Sequence, residues 1–232
     1  MNYQDTSLLP AFKKIVFVQI LAFSNILLSK DMLMLVGLGE ESAQRITDIL
    51  FLSITALYIK ALYKMIKIFT KNPLVLNSVI ISFTLAFLVG AVIENPFIDW
   101  HFAGKDYYFL AIHLCFSFGT ILIIYFTVLE IFEEQMSVKE RLWGSASVYF
   151  LIAWVFGGFY DIIAIFSPNA LGFLHQHNLA SYMKSIAYSL SVLGNFNPLY
   201  ENVNLLISHI AIIEAVWAHL FVVLVVGRLL AK

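Results

Sequence analysis

The chain has 232 residues, 61% of them hydrophobic and 12% charged, where an average soluble domain is about 25% charged. A mean hydropathy of +0.86 and a formal net charge of −1 exclude an ordinary soluble domain and any broad electrostatic attraction to nucleic acid. The single Cys115 lies in an apolar run, so a disulfide framework and a cysteine metal site are excluded too.

A bilayer core takes about 20 apolar residues as helix, and six stretches qualify. They run over approximately Ile15–Val36, Ile46–Ile68, Leu74–Ile93, Tyr108–Leu129, Trp143–Phe166 and Leu205–Val226. Lys30 and Asp31 interrupt the first, and the second is the least apolar. Glu94-Asn-Pro96 closes the third, and Glu130, Glu133 and Glu134 follow the fourth. Met1 to Pro10 is short and polar, without the basic-then-apolar order of a signal peptide; the first span is expected to stay attached. Lys and Arg collect on the cytoplasmic side of membrane proteins. With the N-terminus inside, ten of the fourteen basic residues fall on the cytoplasmic side and four outside, so both termini are expected in the cytoplasm.

The stretch between the last two spans has a different character. Asn178–Leu193 is helix-compatible, with Asn178 as N-cap. The turn-prone Gly194-Asn-Phe-Asn-Pro198 follows. A bilayer tolerates such irregular backbone only where protein covers it or water fills a cavity. One reading is an ordinary loop between spans. The other is a short helix and loop that dip into the membrane, as in an ion-channel pore. Lys184 is then part of a segment that enters from outside.

Three pieces of the chain carry a family resemblance. Glu140-Arg-Leu-Trp-Gly-Ser-Ala-Ser-Val-Tyr-Phe-Leu-Ile152 is similar to the outer-helix pattern E-R-x-x-G-A-x-x-V-Y-L-L-x of bacterial potassium-channel-family pore modules. Ser167-Pro-Asn-Ala-Leu-Gly172 resembles the connection after that helix. Ile213-Glu-Ala-Val-Trp-Ala-His-Leu-Phe-Val-Val-Leu-Val-Val-Gly-Arg-Leu-Leu230 is similar to the inner-helix pattern L-E-A-x-x-G-Q-L-Y-L-A-x-L-V-A-R-L-V.

The resemblance implies an all-α membrane protein of six transmembrane helices in the bacterial inner membrane. A re-entrant pore helix and filter-like loop then lie between the fifth and sixth, in a homotetramer around an ion path. Residues 1–137 form a four-span peripheral bundle and 138–232 the pore module. The implied function is passive conduction of a monovalent inorganic cation, with the lipid bilayer and three further copies as partners and no bound cofactor. The filter would be Ser191, Val192, Leu193, Gly194, Asn195, Phe196 and Asn197, with Glu214 and Ala218 lining or supporting the pore.

This chain departs from the family at the filter. A potassium filter close to T-V-G-Y-G uses glycines so that successive carbonyls face the axis. Ser191–Pro198 holds only Gly194, so a filter glycine is lost whether Gly194 is aligned with the first of the two filter glycines or with the second. A wider, less selective pore follows, or a blocked one. The alternative function is a non-conducting membrane sensor or assembly protein that keeps the pore architecture.

Other ionisable residues each have two readings. Glu214 either hydrogen-bonds toward the pore helix or attracts ions. His175-Gln-His177 is a solvated loop, a transition-metal site or a pH sensor. Asp161 reads as an interfacial group near the outer end of the fifth span. Lys60, Lys64, Lys67 and Lys71 form one stripe, read as headgroup snorkelling rather than a voltage sensor or an anionic-lipid site. A phosphate-binding glycine loop, H-E-x-x-H and an intramembrane nucleophile–base pair are all missing, so an enzyme is not expected.

Overall fold

The computed structural model describes residues 8–70, 72–95, 97–98, 104–133, 136–196 and 199–230. Every element among them is helical. The order is α1 (Leu9–Ser24), a π-helical turn (Asn25–Ser29), α2 (Lys30–Leu35), α3 (Glu40–Phe69), α4 (Pro73–Ile93), α5 (Lys105–Ile131), α6 (Val138–Phe166), α7 (Leu179–Leu193) and α8 (Leu205–Leu230). Six helical stretches are long and apolar enough to cross a membrane: Leu9–Leu35, Glu40–Phe69, Pro73–Ile93, Lys105–Ile131, Val138–Phe166 and Leu205–Arg228. The chain is therefore an all-helical, multi-pass membrane protein in build.

Local chemistry sets several helix ends. Asn72 caps α4 by accepting from the Leu74 N–H at 3.0 Å, with Pro73 in the first turn. Ser137 and Glu140 form a reciprocal capping box at the start of α6. Glu140 Oε1 also accepts from the Leu8 N–H at 3.0 Å, tying the start of α1 to the start of α6. Arg228 of α8 donates to the Phe132 carbonyl at 3.1 Å. The starts of α1 and α6 and the ends of α5 and α8 thus share one face of the bundle.

α6 is the central span and α8 the most peripheral: 61% of the apolar stretch of α6 is buried, against 17% for α8. One hydrophobic core runs from Phe12, Phe23, Phe51, Tyr58 and Phe83 through Trp154 of α6 to Met183 and Ile186 of α7. Two buried amide groups find acceptors inside the bundle. Gln19 Nε2 donates to the Tyr58 hydroxyl at 2.9 Å and to the Ser147 carbonyl at 3.1 Å. Asn25 Nδ2 donates to the Thr47 carbonyl at 3.3 Å, where the π-helical turn meets α3. Lys60, Lys64 and Lys67 are exposed on α3, in keeping with snorkelling; Lys71 lies outside the described residues.

Candidate functional site

α7 has 15 residues, about 22 Å of helix at 1.5 Å per residue, which is too short to cross a bilayer core. It begins where Asn178 Oδ1 accepts from the Ser181 N–H at 2.9 Å. The Glu94 carboxylate, just past the end of α4, accepts from the Leu179 N–H at 2.6 Å and pairs with Lys105 at 3.0 Å. Burial pushes the Glu94 carboxyl above its ordinary value, against the pull of Lys105 and the Leu179 N–H. A carboxylate here meets both an unsatisfied helix N–H and the positive end of the helix dipole.

The end of α7 lies against the middle of α6, where the Tyr149 hydroxyl donates to the Leu193 carbonyl at 2.6 Å. The chain then returns to the end of α6. The Asn204 N–H donates to the Ala170 carbonyl at 2.8 Å. Gly172, at φ +79°, lies against the Glu201 carbonyl, in the space a Cβ would need. Asn204 then caps α8, its Oδ1 accepting from the Ile207 N–H at 2.8 Å.

Close packing holds α7 along α6. A Cβ on Gly157 would stand 2.9 Å from the Cα of Ile186, so the two backbones approach as only glycine allows. Ser181, Ser185 and Ser189 recur at every fourth position and are all buried. Ser185 Oγ donates to Asp161 Oδ1 at 2.9 Å. Ser189 Oγ donates to Glu214 Oε1, and the Tyr160 hydroxyl donates to Glu214 Oε2 at 2.6 Å. Each oxygen of the Glu214 carboxylate thus has its own donor, and Glu214 is 0% exposed. It joins α6, α7 and α8 at one point.

A second buried carboxylate sits one residue further along α6. Asp161, 1% exposed, is not an interfacial group as its position in the sequence suggested. His113 Nε2 of α5 lies 2.8 Å from its Oδ2, and His175 Nε2 lies 3.0 Å from its Oδ1. His175 is likewise buried rather than a solvated loop residue. His177 approaches Asp106 instead, with Nδ1 at 2.9 Å from Oδ1. Among the described residues no group of three potential ligands could hold a metal ion.

The expected filter residues divide in two. Ser191, Val192 and Leu193 are not an extended run with free carbonyls; they form the last turn of α7. Ser191 Oγ donates to the Tyr188 carbonyl at 2.7 Å. A Schellman closure follows: the Phe196 N–H donates to the Ser191 carbonyl at 3.0 Å and the Asn195 N–H to the Val192 carbonyl at 3.1 Å. The Gly194 N–H donates to the Leu190 carbonyl at 3.0 Å. The last four carbonyls of α7 are therefore all taken, three by backbone and one by Tyr149. Their engagement follows from the helix continuing through Leu193, which leaves four orphan acceptors to satisfy.

Gly194, Asn195 and Phe196 are exposed at the tip, Phe196 by 75%. Gly194 has an ordinary helical φ of −76°, and Asn195 takes the left-handed one at +52°. Asn197 lies outside the described residues. Ala218, 2% exposed, belongs to the core with Phe221 and Val225. Glu214 and Ala218 are thus both buried within the chain.

Sequence reasoning missed His113, Tyr160, Ser185 and Glu94. Two signals pointed to Ser185 and His113: the four-residue spacing of the α7 serines, and an imidazole inside an otherwise apolar fourth span; Tyr160 and Glu94 had none.

No protein-family model, no curated protein and no solved structure matches the chain.

Proposed function

We propose that the chain is a pore-loop membrane protein that passes monovalent cations passively and with little selectivity, as a homotetramer in a bacterial inner membrane. The observation that carries this reading is the path of the chain around α7. A helix too short to span starts beside Glu94, ends against Tyr149 in the middle of α6, and the chain then returns to Ala170 beyond the end of α6. The apolar face of α8, with Trp217, Leu220 and Val223 exposed, gives further copies or lipid a surface to pack on.

Selectivity of the potassium type is not part of the proposal. The carbonyls that would replace a potassium ion's water shell are engaged at the end of α7, so any path at the tip is lined by side chains. Asn195 and Phe196 are the described candidates. The same sealed helix end favours a second reading, a non-conducting membrane sensor or assembly protein that keeps the pore architecture.

Purified full-length protein in a planar bilayer separates the two. The channel reading expects cation currents with a potassium-to-sodium permeability ratio near unity, and a larger unitary current for Phe196→Ala. A silent bilayer across lipid composition, voltage and pH supports the non-conducting reading.

A further inference from the structure

The turn that leads into α7 is built around a histidine whose tautomer is fixed on both sides. The His177 N–H donates to His175 Nδ1 at 3.1 Å, so Nδ1 has no proton. Nε2 then carries the ring's hydrogen and faces Asp161 Oδ1 at 3.0 Å. The neutral Nε2–H form of His175 is therefore the one that fits. The backbone at His177 takes a positive φ of 51°, a conformation that side-chain-bearing residues adopt only at a cost and that the bond to His175 helps to hold. Asn178, the α7 cap, comes next.

A route to water runs through His177. Its side chain is 25% exposed and that of its partner Asp106 is 55% exposed. The rings of His175 and His177 meet edge to face with centroids 4.9 Å apart.

We propose that the His175–His177 turn is a proton-operated switch at the entrance to α7. A proton from water, taken up at His175 Nδ1, turns the acceptor of the His177 N–H into a second donor. Two N–H groups then face each other across a bond that had one donor and one acceptor. The His177 N–H bond breaks, the turn leaves its left-handed conformation, and the Asn178 cap is released. Losing a cap weakens a helix at its first turn, which loosens the start of α7 without unfolding the bundle. Asp161 stays in place as the partner of the new imidazolium, with Ser185 and His113 still beside it.

Charged and titratable groups face this turn from several elements, and Lys30 of α2 with Glu40, Glu41 and Arg45 of α3 line a surface pocket beside Gln176, Asn178 and Lys184. α6 contributes Asp161, and α5 contributes His113, Asp106 and Lys105. Glu94 lies at the end of α4. α7 contributes Tyr182, whose ring centroid lies 4.5 Å from that of His113, and Lys184, whose Nζ lies 4.9 Å over Phe173. Of the three histidines, only His175 accepts a backbone N–H, so its protonation is the one that forces the chain to move. The switch operates whether or not cations pass through the protein.

The test uses the full chain in phosphatidylcholine–phosphatidylglycerol vesicles, with Cys115→Ser and a nitroxide on Leu174→Cys, an exposed position beside the turn. Histidine is the side chain that ordinarily titrates between about pH 5 and about pH 8. Over that interval the nitroxide should become more mobile as pH falls. His175→Gln should abolish the response, and His177→Gln, which keeps the backbone N–H, should retain it. An unchanged spectrum between those limits, or an equal response in His175→Gln, overturns the proposal. A second measurement needs no variant. With histidine 15N-labelled, the His177 backbone amide should shift along the same titration curve as the His175 ring nitrogens. Independent curves also overturn it.

Discussion

Asn195 decides how α7 ends. At φ +52° it occupies the left-handed position that follows a helix C-terminus, and its N–H closes on the Val192 carbonyl. A side chain without asparagine's local hydrogen bonding fits poorly there. Asn195→Ala is expected to lower stability by about 1 kcal/mol, and Asn195→Gly to be neutral or slightly stabilising. Thermal unfolding in detergent checks both. Equal losses for alanine and glycine would mean that the asparagine side chain matters and its backbone does not. The sequence pointed to Gly194 instead, because glycine is the residue a carbonyl-lined filter requires. Nothing in Ser191–Pro198 shows that the helix will run on through Leu193 and pass the unusual φ to the next residue. His175 and Asp161 were misread for a related reason. Their partners lie on α5, α6 and α7, and only the folded chain brings the three together. Glu214 was legible, since a carboxylate in the middle of an apolar span must find donors or a cavity. Its donors, Tyr160 and Ser189, were not.

At the level of elements, hydrophobic runs located all six spans, because each exceeds what any soluble helix needs to bury. The polar margins were less legible. α1 and α3 start at Leu9 and Glu40, about six residues before the apolar runs do, since a helix continues into the headgroup region once its hydrogen-bond ladder has begun. The π-helical turn at Asn25–Ser29 left no mark in composition. The short helix was placed well by its asparagine cap, and its seating on α6 turns on Gly157. Gly157→Ala puts a methyl group against the Ile186 Cα, where backbone and not a flexible side chain must yield. A destabilisation of about 1–3 kcal/mol is expected from overpacking of this kind, read as a lower unfolding temperature. An unchanged unfolding temperature would show that α7 moves away from α6 at little cost.

For the whole molecule, contacts run across the expected division at residue 137. Gln19 bonds to Ser147, Leu8 to Glu140, and Phe23, Phe51 and Tyr58 surround Trp154. The first four spans thus brace α6, and α6 positions α7 through Asp161, Gly157 and Tyr149. The claim on which the functional reading rests is that α7 enters the membrane and the chain leaves again on the same side. Accessibility to a membrane-impermeant maleimide in intact cells tests it, with Leu174→Cys, Glu201→Cys and Lys64→Cys each made singly in a Cys115→Ser background. The account predicts that Leu174→Cys and Glu201→Cys react from outside and that Lys64→Cys reacts only after the cells are opened. Reaction of Leu174→Cys and Glu201→Cys from opposite sides would make α7 a crossing helix and contradict the account.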